Sequence, residues 1–227
     1  MNSASLGGTI SNRELFDCLE QILYTAVVSD ALDELGCRHQ AMNASLRPVT
    51  VKYCFAGWAR TILCMDVYQE SADPYGREIE AIDSILPDEV VVVSTGQSTR
   101  NAPWGELLST AAVARGARGA VIDGLVRDVR KIEATGLAVF AAGIKPVDSR
   151  GRGIVVDCNV PVECGSILVS PGDLIFADYD GVVAVPKAVV NETVRLATEK
   201  VQRENQSRQE LKKGAYLRDV YQKYGVL

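Results

Sequence analysis

Apolar and polar positions alternate with helical period at the start of the chain. Leu15, Phe16, Leu19, Ile22 and Leu23 recur at the spacing of one helix face. Ser11 and Glu14 stand where a capping box would place them, hydroxyl and carboxylate each satisfying a backbone N–H at the helix start. A second helix is predicted over AVVSDALDEL, residues 26–35, with Gly36 as its C-terminal stop. Residues 54–65, CFAGWARTILCM, read instead as a strand, in which Gly57 marks a bulge or a close backbone approach.

The pattern then becomes regular. REIEAIDSILPDE (77–89) predicts a short helix ended by Pro87, and the unbroken run at 89–95 suits a strand buried on both faces. After the loop QSTRNAP, residues 104–116 read as a packed helix stopped by Gly116. Residues 119–124 follow as a strand, VRDVRKIEATG (126–136) as a short helix and 137–143 as another strand. This alternation predicts right-handed crossovers and at least partly parallel pairing. From 154 to 185 short apolar runs are separated by Pro, Gly and Asp, including SPGD at 170–173 and DYDG at 178–181, which predicts antiparallel hairpins. Pro186 can open a long C-terminal helix striped by Val189, Val190, Val194, Ala197 and Val201. Beyond about residue 203 that helix is mostly polar, as in an arm that packs on a neighbouring subunit, so an oligomer is expected.

Composition narrows the possibilities. With 47% hydrophobic and 23% charged residues and no linker-like stretch, residues 1–227 read as a single domain, with its core at about 20–190 and a helical arm at about 187–227. A net charge of -5 without a basic block argues against nucleic acid as a partner. No apolar run reaches the roughly 20 residues of a membrane span, and the first ten residues lack a basic leader, so a cytoplasmic protein without membrane attachment is expected. Three glycosylation sequons, at Asn43, Asn191 and Asn205, then count as chance matches. Six cysteines without a CxxC pair read as reduced, structural thiols, and the single histidine, His39, as a turn residue. One histidine makes a Ser-His-Asp triad improbable and excludes a His-rich zinc site. Catalysis would fall to carboxylates, arginine and a hard, oxygen-liking ion.

Ligands of open α/β sheets collect at the carboxyl ends of the strands. The strand at 89–95 leads to the helix carrying Glu106, and the strand at 119–123 leads past Gly124 to Arg127 and Asp128. Two helix N-termini there favour an anion, Glu106 and Asp128 could hold a cation, and Arg127 could clamp a carboxylate or a growing oxyanion. The spacing also admits a plainer reading: an acid in a helix first turn complements the dipole, and Arg127–Asp128 is an ordinary surface pair. Gly116 and Gly119 make no dinucleotide fingerprint, and SRGRG (149–153) reads as a turn more readily than as a phosphate site.

WGELLSTAAVARGARGAVIDGLVRDVRKI, followed by PGDLIFADYDGVVAVP, resembles the family of 4-hydroxy-4-methyl-2-oxoglutarate and 4-carboxy-4-hydroxy-2-oxoadipate aldolases, which also contains regulators of ribonuclease activity. In these class II pyruvate aldolases an acid, twenty residues and then Arg-Asp form a signature. Here Glu106 is followed by residues 107–126 and then Arg127-Asp128, with Glu where the best-known aldolases carry Asp. The resemblance implies that Gly105, Glu106, Leu107 and Leu108 line a pyruvate site, that Arg127 contacts substrate and that Asp128 binds Mg²⁺ or Mn²⁺. It implies an α/β fold, a layered β/β/α sandwich of the swivelling, phosphohistidine-domain-like type, with mixed sheets, N-terminal helices and a long C-terminal helix. Trimers or hexamers are implied too, with Glu204 from a neighbour's helix reaching the site.

The activity implied is retro-aldol cleavage of a 4-hydroxy-2-oxo diacid, as in aromatic degradation, to pyruvate and a second oxo acid. Oxaloacetate decarboxylation through the same metal-stabilised enolate accompanies it. A water held by Glu106 and the metal would accept the C4 hydroxyl proton. Two other readings stand beside this one: a non-catalytic protein that restrains an endoribonuclease, and a lyase acting on a related sugar-derived oxo acid.

Overall fold

The computed structural model describes residues 11–226. Helix α1 (Asn12–Ile22) opens on the expected capping box: Ser11 Oγ accepts from the Glu14 N–H, and the Glu14 carboxylate accepts from the Ser11 N–H at 2.9 Å. Its buried side is narrower than the predicted stripe, because Phe16 and Leu19 are buried whereas Leu15 and Ile22 lie at the surface. Helix α2 (Thr25–Glu34) is capped from a distance: Asp178 accepts both the Thr25 N–H and its hydroxyl at 2.7 Å.

A two-residue strand β1 (Arg47–Pro48) precedes the long β2 (Phe55–Asp66). The alternating block follows as α3 (Gly76–Asp83), β3 (Glu89–Ser94), α4 (Glu106–Ala114), β4 (Gly119–Val126), α5 (Val129–Thr135) and β5 (Ala138–Ile144). Strands β2, β3, β4 and β5 are mutually parallel, as the alternation predicts. The remainder comprises β6 (Gly153–Cys158), β7 (Val162–Cys164), β8 (Ile167–Val169), β9 (Leu174–Asp178) and β10 (Gly181–Val185), all paired antiparallel. β2 organises the main sheet: its first residues pair with β9, its last with β6, and its other edge with β3. Gly57 is a close approach and not a bulge, since a Cβ there would lie 2.7 Å from the Asp88 carbonyl oxygen.

The order β1-β5-β4-β3-β2-β9-β10 gives a mixed sheet of eight strands including β6. One face packs on α3, α4 and α5 through Val91, Val93, Ile122 and Val139 with Ile82, Ala112 and Ile132. The opposite face, with Phe55, Val90, Val92 and Phe140, is covered by Val162, Cys164 and Val169 of the β7–β8 hairpin. That is the expected β/β/α layering. A third apolar cluster joins α1 and α2 to β9, β10 and the C-terminal helix through Phe16, Val27, Leu32, Phe176 and Ala197.

The C-terminal region differs from a single helix begun at Pro186. A 3₁₀ turn (Lys187–Val189) precedes α6 (Val190–Lys212), Gly214 adopts φ +92°, and a separate α7 (Leu217–Tyr224) follows. The six thiols are all unpaired; Cys64 and Cys164 are buried, and burial pushes the Cys64 thiol up to about 12. His39 is exposed just beyond α2. No helix of the described residues is long and apolar enough to cross a membrane.

Candidate active site

Three parallel strands deliver their carboxyl ends to one place, and backbone hydrogen bonds tie those ends together. Trp104, at the end of the loop leaving β3, forms a parallel bridge with Val126, and the Arg127 N–H donates to the Trp104 carbonyl at 2.9 Å. The Ala102 N–H donates to the Val147 carbonyl at 2.8 Å, and the Lys145 N–H to the Val126 carbonyl at 2.9 Å, so the segment after β5 is bound into the same cluster. Trp104 is buried and its indole N–H donates to Ser109 Oγ at 2.9 Å, which fixes the entry into α4.

β4 and α4 correct the sequence reading in ways that shape the site. β4 runs through Gly124 to Val126, with an irregularity between Ile122 and Leu125, where a turn and then a helix from residue 126 were predicted. Gly124 serves close approach instead: a Cβ on it would lie 2.5 Å from Thr95 Oγ1. α4 begins at Glu106, with Gly105 as its N-cap, and not at Trp104. Asp128, the N-cap of α5, sits in the left-handed region at φ 60°, which Asp tolerates better than most residues. Its carbonyl accepts from Lys131 and Ile132, while its side chain makes no cap bond and points away half-exposed.

The result is a cleft of about 380 Å³ lined by Gly105, Glu106, Leu107, Leu108, Arg127 and Asp128. These six residues, to which the resemblance assigned the substrate and the ion, thus lie together on one cleft. Gly105 is packed against the charged pair: a Cβ there would stand 3.0 Å from Asp128 Oδ2 and 3.2 Å from Arg127 Cγ. Glu106 accepts from the Thr110 hydroxyl on its own helix at 3.2 Å.

Tyr75, Glu78 and Asp148 complete the cleft and were not singled out from the sequence. Arg127 Nη2 lies 3.1 Å from Asp148 Oδ1, a closer partner than Asp128, whose Oδ2 is 4.0 Å from Arg127 Nε. The Tyr75 hydroxyl donates to Asp148 Oδ2 at 2.6 Å. Burial opposes ionisation of Asp148, but the Tyr75 hydrogen bond, the Arg127 charge and the backbone N–H groups of Ser149 and Arg150 together hold its carboxyl below the usual range. Glu78 behaves oppositely: burial, reinforced by the Asp148 charge, pushes it up to about 7 despite Arg127. SRGRG forms a turn in which Arg150 pairs with Glu70 and Arg152 donates to the Asp148 and Arg150 carbonyls.

Glu204 lies elsewhere. Within one chain it accepts from the Tyr24 hydroxyl and lines a separate cavity between α2, α6 and α7, where burial raises its pKa. Among the described residues no group of three or more His, Cys, Asp or Glu stands close enough to hold an ion on protein ligands alone. The donors in the cleft are hard carboxylate oxygens, and Asp128 is presented with Gly105 leaving space beside it, which suits a sparsely ligated, water-rich ion.

A family model described as RraA-like, Aldolase/RraA, matches residues 25–184. The chain belongs to this RraA-like family. A Halalkalibacterium halodurans relative named "Putative 4-hydroxy-4-methyl-2-oxoglutarate aldolase" is 30% identical, with 78% of this chain and 79% of that protein covered. Protein DlpA of Legionella pneumophila is also 30% identical over 78% of this chain, which spans only 29% of that longer protein. Among solved structures, an uncharacterized Pseudomonas syringae protein shares the RraA-like fold at TM-score 0.84 and 26% identity, covering 98% of this chain and 100% of its own. Streptomyces coelicolor RraAS2, described as an unusual member of the RNase ES inhibitor RraA protein family, matches at TM-score 0.77 and 28% identity, covering 88% of this chain and 98% of its own.

Proposed function

We propose that the protein is a divalent-metal-dependent lyase that cleaves a 4-hydroxy-2-oxo acid by retro-aldol reaction, releasing pyruvate and a second carbonyl compound, with oxaloacetate decarboxylation as a side activity. The observation that carries this reading is the convergence of Arg127, Asp128 and the start of α4 on one cleft of about 380 Å³. The names of the aldolase relatives support it.

The first N–H groups of α4, which lack helical partners and a side-chain cap, bind the carboxylate of the pyruvate half. Arg127 donates to the 2-oxo oxygen, where negative charge grows as the C3–C4 bond breaks. Asp148, itself held by Tyr75, fixes the guanidinium in that direction. Asp128 would hold Mg²⁺ or Mn²⁺, which supplies Lewis-acid polarisation of the 2-oxo group when bound. Glu106, at the cleft wall, receives the C4 hydroxyl proton through a water, and the C3–C4 electron pair passes to C3 of the pyruvate enolate, which is then protonated.

A second reading, favoured by the likeness to RraAS2, is a non-catalytic protein that restrains an endoribonuclease. A lactate-dehydrogenase-coupled assay separates the two. The lyase releases pyruvate from oxaloacetate with Mg²⁺ and loses that activity in Arg127→Ala and Asp128→Ala. Equal release in EDTA, or in both variants, contradicts the lyase. Co-purification with a ribonuclease, unaltered by the variants, is the outcome the second reading requires.

A further inference from the structure

The charges lining the cleft bear on the far end of the substrate. Arg127 is the only cationic side chain among the described lining residues, and residues 1–10 and 227 contain no Lys or Arg. Four carboxylates line the same cleft: Glu78, Glu106, Asp128 and Asp148. Neighbouring cations are engaged elsewhere, Lys145 with the Thr99 carbonyl at 2.7 Å and Arg150 with Glu70.

On the lyase reading, which this substrate inference requires, the pyruvate half occupies Arg127 and the α4 amides, and Asp128 and Glu106 serve the ion and the transferred proton. The distal half of the substrate then meets Glu78 together with the apolar surfaces of Ile79, Pro103 and Leu107. The Glu78 side chain makes no hydrogen bond or ion pair with any described residue and is partly buried at the cleft wall. A carboxylate without a protein partner is free to accept from a ligand hydroxyl, and it repels a second carboxylate brought beside it. Its raised pKa is a separate sign that added negative charge is opposed there.

We infer that the substrate is a 4-hydroxy-2-oxo acid whose distal end is neutral and carries a hydroxyl group that donates to Glu78. The second product is then a neutral hydroxyaldehyde, where the resemblance to diacid aldolases implied a second oxo acid. For 4,5-dihydroxy-2-oxopentanoate, the C3–C4 bond breaks and its electrons pass to C3 as pyruvate enolate. The C4 hydroxyl loses its proton and becomes the carbonyl of glycolaldehyde, and a proton returns to C3.

The test compares kcat/KM for 4,5-dihydroxy-2-oxopentanoate and for 4-hydroxy-2-oxoglutarate, a diacid of equal chain length, with Mg²⁺ on the full chain. A preference of at least about tenfold for the neutral substrate is expected, as like-charge juxtaposition and an unpaired polar group both discriminate on this scale. Glu78→Gln should shrink that ratio at least about threefold by admitting the diacid. The ratio is read on one preparation, so any loss of folded protein cancels. Equal or greater activity on the diacid, or an unchanged ratio in Glu78→Gln, overturns the inference. Hydrogen exchange at the methyl group of pyruvate, which has no distal end, separates the failures: with exchange intact only this inference falls, and without exchange the lyase reading falls with it.

Discussion

Arg127 can stabilise a developing oxyanion only while its guanidinium is held still, and Asp148 is the group that holds it, 3.1 Å away and itself fixed by Tyr75. Asp148→Asn keeps the shape and removes the charge. It is expected to lower kcat roughly 10- to 100-fold with little change in KM or melting temperature, because orientation and not substrate contact is lost. Unchanged kcat in steady-state assays would mean that the Arg127–Asp148 pair is incidental. Spacing marked Glu106, Arg127 and Asp128 as candidates but left a dipole complement and a surface ion pair equally open, and only the family resemblance gave each a role. Asp148 was less legible, because nothing local marks it. Its signal lay in topology: β5 is parallel to β4, so the segment beyond its carboxyl end reaches the crevice already assigned to β3 and β4. Glu78 gave no signal at all, since in sequence it is one more polar position in an amphipathic helix.

The elements were legible wherever hydrophobic period decided them. One boundary failed where a glycine was taken for a turn but the tertiary structure had another use for it. Gly124 lets β4 pass close to Thr95, so the strand carries on to Val126 and places Arg127 at its end. α3 stops at Asp83, four residues short of Pro87. This short helix holds Glu78 against the cleft, and the cost shows in pH dependence. The Glu78 carboxyl titrates at about 7 when folded against an ordinary 4.5, so the folded state binds the extra proton between those values. Its contribution to stability is therefore complete below about pH 4.5 and is lost as pH rises through about 7. In metal-free buffer, urea unfolding should show Glu78→Gln gaining about 1–3 kcal/mol on the wild type at pH 8 and little at pH 4.5. A gain independent of pH would contradict this assignment.

At the scale of the molecule, the change from alternating helices and strands to short Pro- and Gly-bounded runs foretold a parallel half and an antiparallel half. It did not reveal that β2 joins them by pairing with β3, β6 and β9, because a strand's partners are not written in its own residues. The division at Gly214 between α6 and α7 was hidden by uniform polarity. The arm folds partly on its own chain, with Lys200 paired to Asp30 at 2.6 Å and Tyr24 bonded to Glu204, yet Leu211, Tyr216, Leu217 and Tyr221 remain exposed. We propose that this face packs between subunits of a trimer or hexamer. Light scattering should then give a mass of three or six chains, and Leu217→Asp should lower it. A monomer in wild type would contradict the proposal.

Formation of pyruvate enolate in the cleft is read by hydrogen exchange at the methyl group of pyruvate, without any assumption about the rest of the substrate. In D₂O with Mg²⁺, NMR should show the methyl signal of pyruvate lost to deuterium in the presence of wild-type protein. That loss should stop on adding EDTA and be absent with Arg127→Ala or Asp128→Ala. Wild-type exchange no faster than in protein-free solution, or undiminished exchange in either variant, would contradict the account.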